Sequence, residues 1–238
     1  MRTLSETELL DLWEIGYQRH PLERALLALT MALPDTSYES LADWPLGQRN
    51  QALTKFYSQC FGPRLRAWTT CRNCGEKLEF EMDTEDLLAG GETLESDGLN
   101  EPIIVNGRAF RLPNSRDLAL AANETDPSLG AVRIVESCLK EPTGAVRWSE
   151  NDLSEIGEKL ALADPLAEIR VNAPCPECGN DGKETLDLVS FLWNKIEARI
   201  RHLLLDIHIL ASAYGWSEAD ILSMSKNRRS MYIEMVQA

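Results

Sequence analysis

Apolar residues recur at helical spacing at both ends of the chain, and this pattern predicts two mainly helical regions. The first helix is expected behind a cap at Thr3 or Ser5, with Leu9, Leu12 and Trp13 at helical spacing. Towards the C-terminus the same spacing continues for about seven turns, so one face of that helix should be fully buried. The further helices predicted in these regions cover residues 22–33, 48–61, 188–214, 217–224 and 226–236.

Between these regions the pattern changes to shorter runs, which predict strands and short helices. Residues 103–112 should form a hairpin, because two apolar runs flank an Asn-Gly pair, the strongest short turn signal. A turn is expected at 41–46, just before Gly47, and the glycine-rich acidic stretch 89–101 is expected to be a mobile loop. The remaining predicted strands and short helices cover residues 78–82, 116–122, 132–139, 151–162, 167–172 and 184–188.

Two Cys-x-x-Cys-Gly motifs, remote from each other in the chain, each precede a short predicted strand. Zn²⁺ prefers four tetrahedral ligands, and each pair of thiolates supplies half of such a site. The glycine after each second cysteine permits a positive φ that turns the chain away from the metal. The four expected ligands of one structural zinc ion are Cys71, Cys74, Cys175 and Cys178.

The compartment decides between a metal site and a disulfide. The N-terminus leads directly into an amphipathic helix without the apolar segment of a signal peptide, and no apolar run approaches the roughly 18 residues of a membrane span. We therefore expect cytoplasmic synthesis and no membrane span, and a reducing compartment favours metal binding. Disulfide or redox use and incidental thiols stay open as alternatives, whereas Cys60 and Cys138 are expected to be small buried apolar residues.

These features together predict an α+β fold, with mostly helical N- and C-terminal regions around a central four-cysteine zinc ribbon that contains a β-hairpin-bearing insertion. The metal would hold the two remote halves of the ribbon together. The expected divisions are an N-terminal helical region at 1–66, the first half of the ribbon at 67–88, the insertion at 89–166, the second half of the ribbon at 167–188, and a C-terminal helical unit at 189–238.

The formal net charge of −14 bears on the partner. Between Glu76 and Glu101, ten acidic residues face a single lysine, Lys77. A ribbon that binds nucleic acid normally has a basic face, because neutralisation of phosphates supplies most of the affinity. The acidic surface is consistent with plain solubility or with a docking face for a basic partner protein.

Patterns typical of catalysis are absent from the sequence. His20, His202 and His208 stand in no Cys-His, Ser-His or metalloprotease motif, and the last two lie on different faces of one predicted helix. There is also no phosphate-binding glycine-rich loop and no G-x-S-x-G motif. We expect a protein that is not an enzyme and has no small-molecule substrate.

The C-terminal helices contain the feature closest to a DNA-binding motif, because Lys226, Arg228 and Arg229 begin the last helix. Three basic residues are a small footprint in so acidic a chain, so nucleic-acid binding is not the expectation. We expect the arginines to be exposed for a protein partner, while neighbouring side chains pack against the long helix. Those packing residues are Trp216, Ile221, Leu222, Tyr232 and Met235.

Three segments resemble phage baseplate hub and assembly proteins and their relatives in contractile injection systems. The most specific part is C-terminal, where residues 207–224 and 228–232 resemble an "ILA-Y-W-E-IL" pattern followed by an arginine pair and a tyrosine. Residues 110–118 resemble the "FRLP-S-RDL" element of the same group, and residues 12–25 resemble the initial helix of its zinc-knuckle members.

The resemblance implies a structural or assembly role at the baseplate of a contractile phage tail or tail-like injection system. It implies other baseplate, hub or spike proteins as partners and leaves open whether the protein stays in the finished particle. The zinc site rests on the cysteine spacing of this chain, since some relatives lack the motifs. The alternatives are a zinc-ribbon nucleic-acid-binding regulatory protein and a redox-sensing cytoplasmic protein.

Overall fold

The computed structural model describes residues 1–89, 101–141 and 146–237, so the loop expected at 89–101 lies almost wholly outside the described residues. This part of the chain is α+β, as predicted. Its helices are α1 (Glu6–Gly16), α2 (Pro21–Ala32), α3 (Tyr38–Ala42), α4 (Leu46–Phe61), α5 (Thr84–Ala89), α6 (Ser115–Ala121), α7 (Pro127–Cys138), α8 (Glu150–Ala163), α9 (Leu188–Tyr214), α10 (Glu218–Ser223) and α11 (Lys226–Gln237). Its strands are β1 (Arg64–Thr70), β2 (Lys77–Asp83), β3 (Ile103–Val105), β4 (Arg108–Phe110), β5 (Arg170–Pro174) and β6 (Asp181–Thr185). None of the helices in the described ranges combines the length and apolar character needed to cross a membrane.

The first two helices begin where local side chains satisfy their free amide groups. Of the two predicted caps, Thr3 and Ser5, it is Ser5 that caps α1, and it forms a reciprocal capping box with Glu8. His20 caps α2, because its Nδ1 accepts a hydrogen bond from the Leu22 amide while Pro21 occupies the first helical position. His20 therefore has a structural role.

The prediction of a turn at 41–46 is wrong in part, because this segment contains the end of one helix and the start of another. Ser37 caps α3 with its side chain. Helix α4 begins at Leu46, so Gly47 is helical. The local pattern misses this start because Pro45, at the cap position, makes no side-chain hydrogen bond to the helix.

The six strands form three separate two-stranded antiparallel sheets, β1–β2, β3–β4 and β5–β6. The β3–β4 turn consists of Asn106 and Gly107, which both have positive φ (50° and 75°), as expected of a tight Asn-Gly hairpin. The last strand lies at Asp181–Thr185, earlier than the predicted 184–188, because Leu188 already starts α9. Strand β1 was not predicted as a strand, since its inward positions beyond Leu65 carry only small or polar residues.

Two hydrophobic cores organise the fold. The main core joins α1, α2 and α4 to the buried face of α9, which confirms the long amphipathic helix. A second core lies within the insertion, where the β3–β4 hairpin packs against α7 and α8 around the fully buried Phe110 and Cys138.

The C-terminal unit folds back along α9. The long helix ends at Gly215, which has a left-handed conformation (φ 67°), and Ser217 then caps α10 with a capping box. Ile221 is fully buried in the main core, while Met235 is 62% exposed and does not pack as expected.

The expectation that the arginines at the start of α11 are exposed is wrong for Arg229. Its side chain is 1% exposed, whereas Arg228 is exposed. The Arg229 guanidinium donates to the carboxylate of Glu6 in α1 and, at 2.8 Å, to the carbonyl of Met224. The carboxylate of Glu6 also binds Arg199 of α9, so this ion-pair cluster joins the two ends of the chain.

Candidate metal centre

The structure brings the two cysteine motifs together at one point. The Sγ atoms of Cys71, Cys74, Cys175 and Cys178 all lie within 4.8 Å of one another. The Cys71–Cys178 and Cys74–Cys175 sulfur pairs are 3.7 Å and 3.6 Å apart. A tetrahedral ion with metal–sulfur bonds of about 2.3 Å requires sulfur–sulfur distances of about 3.8 Å. The predicted set therefore has the size of a tetrahedral metal site.

The two motifs have the same backbone structure. In each, the amide of the first cysteine donates to the carbonyl five residues later, at 2.8 Å to Glu76 and 2.9 Å to Asn180. The amide of the following glycine donates at 2.9 Å to the first cysteine's carbonyl. Gly75 and Gly179 have positive φ (79° and 67°), so the chain turns away from the sulfur atoms as the sequence indicates.

Each motif connects the two strands of one hairpin, β1 to β2 and β5 to β6, which we call the knuckle hairpins. Cys71 and Cys175 are buried, and they form a small cluster with Leu78 and Ala173 beneath the site. Cys74 and Cys178 are exposed. On the outer side, the Arg72 guanidinium in the first motif pairs at 2.9 Å with Glu184 of β6. Apolar packing and one ion pair thus align the two hairpins.

The hydrogen bonds of the motifs favour thiolates at two of the positions. The side chain of Asn73 and then the amide of Asn180 lower the pKa of Cys178 to about 6. Backbone amides, first that of Cys74, lower the pKa of Cys71. Both shifts increase the fraction of thiolate, which is the form that binds metal.

The pKa of Cys74 moves the other way, to about 12. The Glu76 amide lowers it, but desolvation and the hydrogen bonds with Cys175, Cys178 and Cys71 outweigh that effect. Four adjacent sulfurs cannot all be negative without a cation, so complete ionisation of the cluster requires a bound metal.

The donor set defines the chemistry that the site can perform. Four thiolates in a tetrahedral arrangement suit Zn²⁺ or an iron–sulfur centre. With four protein ligands, a tetrahedral ion has no open position for water or substrate. The arrangement fits metal binding with a structural role.

The other two cysteines lie outside this cluster. Cys60 is half-buried in α4 and Cys138 is fully buried in the second core. Burial raises the pKa of Cys138 to about 12, so it remains a neutral thiol beside the Arg111–Asp117 ion pair. Neither cysteine belongs to the candidate metal site.

The histidines also lie outside the candidate metal site. His20 caps a helix, while His202 and His208 are exposed on α9. The sequence analysis did not predict a role for Asn73, whose side chain lowers the pKa of Cys178 through a hydrogen bond. Its position inside a Cys-x-x-Cys motif is a signal that could have identified it.

Comparison of the chain with protein-family models, curated proteins and solved structures finds no match.

Proposed function

We propose that Cys71, Cys74, Cys175 and Cys178 hold one Zn²⁺ ion with a purely structural role. The supporting observation is that four thiol sulfurs from two remote motifs gather within 4.8 Å. Binding of zinc to small zinc-finger peptides contributes about 10–16 kcal/mol at neutral pH. In this protein that free energy would hold the knuckle hairpins together and with them the main core, which contains Leu65 and Val171.

The function proposed for the whole protein is a non-enzymatic structural or assembly component of the baseplate of a contractile phage tail or tail-like injection system. It would be synthesised in the cytoplasm and act at the particle through contacts with other baseplate, hub or spike proteins. The resemblance of three segments is the basis of this proposal. The support in the structure is that residues of these three segments are buried in the hydrophobic cores or form ion pairs between separate elements of the fold.

In the segment 110–118, Phe110 is fully buried and Arg111 pairs with Asp117 at 2.6 Å and 2.8 Å. Asn114 caps α6 through the amides of Arg116 and Asp117. The Arg116 guanidinium then reaches across to Glu39 and Asp43 near α3, at 2.6 Å and 2.7 Å. These residues of the resembling element therefore connect the insertion to the N-terminal helices.

The other two resembling segments contribute residues to the main core and to ion pairs. In residues 12–25, Leu12 is fully buried and the Arg24 guanidinium lies 4.5 Å from the centre of the Trp193 ring. In the C-terminal segment, Leu210 is fully buried and Arg229 forms the ion pair with Glu6. Segments whose residues stabilise the fold are consistent with a protein that acts by binding other proteins.

The nucleic-acid alternative is weakened by the position of Arg229. Its guanidinium is buried against Glu6, so only Lys226 and Arg228 of the three basic residues at the start of α11 remain exposed. Two exposed cations are a smaller electrostatic footprint than the sequence suggests.

The test of the baseplate proposal is co-expression of the chain with tail proteins encoded near its gene, followed by co-purification and mass spectrometry. We expect stoichiometric recovery of a hub, wedge or spike protein. Cys71→Ser should abolish this recovery, while Cys60→Ser should retain it as the matched control. Elemental analysis of the purified protein should give one zinc per chain.

Other results would overturn these proposals separately. Recovery of no tail protein, together with salt-dependent binding to random duplex DNA, would favour the nucleic-acid alternative. Protein that carries no metal but forms reversible disulfides among the four cysteines would favour a redox sensor.

A further inference from the structure

A cleft of about 530 Å³ lies between the two knuckle hairpins. One wall consists of Arg66–Thr69 of β1, and the opposite wall consists of Glu184–Asp187 at the end of β6. Strands β2 and β5 contribute only Phe80 and Val171, so the outer edges of β1 and β6 flank the opening. The first turns of α9 close the bottom of the cleft, which we call the hairpin cleft.

The free edge of β1 exposes backbone hydrogen-bonding groups. The Cys71 amide donates to Glu76 and the Thr84 amide to Pro63, so odd-numbered residues of β1 pair with β2. In an antiparallel pair the residues between them point their amides and carbonyls outward. The carbonyl of Arg64 does so and accepts a hydrogen bond from the Tyr57 hydroxyl. The outward groups further along β1 belong to Arg66, Trp68 and Thr70.

The free edge of β6 has the same arrangement. The Cys175 amide donates to Asn180 and the Leu186 amide to Ile169, so these positions pair within the hairpin. By the same alternation, the backbone groups of Lys183 and Thr185 point outward. No strand in the described ranges pairs with either edge.

Natural proteins usually block open strand edges with proline, bulges or a covering element. Strand β1 has no proline, and its central Trp68 is 68% exposed. Its edge does carry the charges of Arg64 and Arg66, but both guanidiniums share one carboxylate, that of Glu81, at 3.2 Å and 2.7 Å. This ion-pair cluster on the hairpin beside the cleft therefore has one more cation than carboxylates.

The side chains within the hairpin cleft favour one kind of segment. Phe80, Leu186 and Phe191 line it with partly buried apolar surface. Lys195 makes a cation–π contact of 5.6 Å with Phe191 and, among the described residues, no ion pair. The carboxylate of Glu184 is already paired with Arg72. The carboxylate of Asp187 accepts hydrogen bonds from Ser190 at the start of α9, and its charge acts on the buried Arg49. With both carboxylates engaged, Lys195 is the charge of the cleft that has no ion-pair partner among the described residues.

We infer that the hairpin cleft binds an extended segment of a partner protein as an added β-strand. Main-chain hydrogen bonds to an exposed strand edge supply affinity, and pockets for alternate side chains supply specificity. The segment should alternate apolar residues, which face Phe80 and Phe191, with acidic residues on its opposite side, which face Arg66. Lys195, beside Phe191, adds positive charge at the bottom of the cleft. This inference rests on the proposed function, in which the protein acts through protein contacts, and it names the chemistry of the contact.

The test uses a synthetic heptapeptide, acetyl-Thr-Val-Glu-Val-Glu-Val-Thr-amide, and the full-length metal-loaded protein. Titration followed by amide NMR should shift the resonances of Arg66, Trp68, Thr185 and neighbouring residues. A peptide with lysine in place of glutamate should bind at least tenfold more weakly.

Two matched pairs of variants separate backbone pairing from side-chain effects. Arg66→Pro removes the outward amide of β1, which an edge strand tolerates, while Arg66→Ala removes only the side chain. In the same way, Thr185→Pro removes an outward amide of β6, while Thr185→Ala removes only the side chain. At least one proline variant should lose peptide binding, whereas Thr185→Ala should retain it and Arg66→Ala, which removes a proposed side-chain contact, should only weaken it. Metal content and melting temperature verify the fold of each variant.

The inference fails if the acidic peptide produces no resonance shifts at about 1 mM. At that concentration, binding with a free energy of about 4 kcal/mol would be detected. It also fails if folded proline variants bind as well as their alanine counterparts, or if the lysine peptide binds equally well. The peptide experiment involves no tail protein, so its failure leaves the co-purification result, and thus the baseplate proposal, standing or falling on its own.

Discussion

The carboxylate of Asp164 accepts a 2.8 Å hydrogen bond from the amide of Gly47, 117 positions earlier in the chain. Asp164 ends α8 and is 1% exposed, while Pro45 provides no side-chain cap at the start of α4. One residue of the insertion therefore caps a helix of the N-terminal region. Arg49, 4% exposed, lies close enough for its charge to favour the ionised carboxylate.

Asp164→Ala should lower the free energy of unfolding by about 1–2 kcal/mol, because it removes the side chain that accepts a hydrogen bond from the first turn of α4. Asp164→Asn should cost less, since its side-chain oxygen can still accept from the Gly47 amide. Urea denaturation of the three proteins measures the difference. Equal losses in the two variants would contradict a capping role.

The same carboxyl should make stability depend on pH. Burial raises the pKa of Asp164 above its ordinary 3.8, although the Gly47 amide and the Arg49 charge lower it. A raised pKa in the folded state means that folding favours the protonated carboxyl. Its contribution is fully present below pH 3.8 and is lost as pH rises through the folded pKa. Asp164→Asn should remove this part of the pH dependence, which denaturation curves at several pH values would detect.

Gly47→Ala should destabilise the protein even though alanine is the better helix former. A Cβ at position 47 would lie 1.7 Å from Oδ1 and 2.6 Å from Cγ of Asp164, so the capping carboxylate must move. Displacement in a packed site costs about 1–3 kcal/mol. Gly157→Ala in α8 is the matched control, because a Cβ there meets nothing within 4 Å. Thermal denaturation should show a lower melting temperature for the first variant only.

Glu6→Gln should detach the C-terminal helix, because it leaves the buried Arg229 without its compensating charge. Loss of one partner of a buried ion pair costs about 3–5 kcal/mol. Glu8→Gln is the control, since its exposed pair with Arg2 should contribute less than about 1 kcal/mol. Fluorescence of Trp216, which contacts Tyr232 of α11, would report detachment. The double variant Glu6→Gln with Arg229→Met should recover most of the lost stability.

Removal of the metal with a chelator should lower the melting temperature of the wild-type protein by far more than any surface substitution. Cys71→Ser should lose the metal and behave like the chelated protein, because three thiolates bind zinc less tightly than four. Cys60→Ser, outside the site, should keep the metal and change stability little. A wild-type protein that melts at the same temperature with and without chelator would contradict the structural role.

Features that depend on neighbours in the chain were predictable. The Cys-x-x-Cys-Gly spacing places two sulfurs on one turn, and this local geometry identified Cys71, Cys74, Cys175 and Cys178 before any fold was known. The Asn106-Gly107 turn, the Ser5 cap and the end of α9 at Gly215 follow equally from interactions within a few residues. Backbone geometry and side-chain caps act over such short distances that the sequence alone determines them.

Only the tertiary structure decided which remote residues meet. It placed Asp164 under α4, Arg229 against Glu6, and the free edges of β1 and β6 across one cleft. Each of these depends on elements separated by more than one hundred positions, whose approach is set by the shared hydrophobic core. A charged residue in the sequence is most often exposed, so burial of Arg229 becomes visible only when packing has removed its water and supplied its partner.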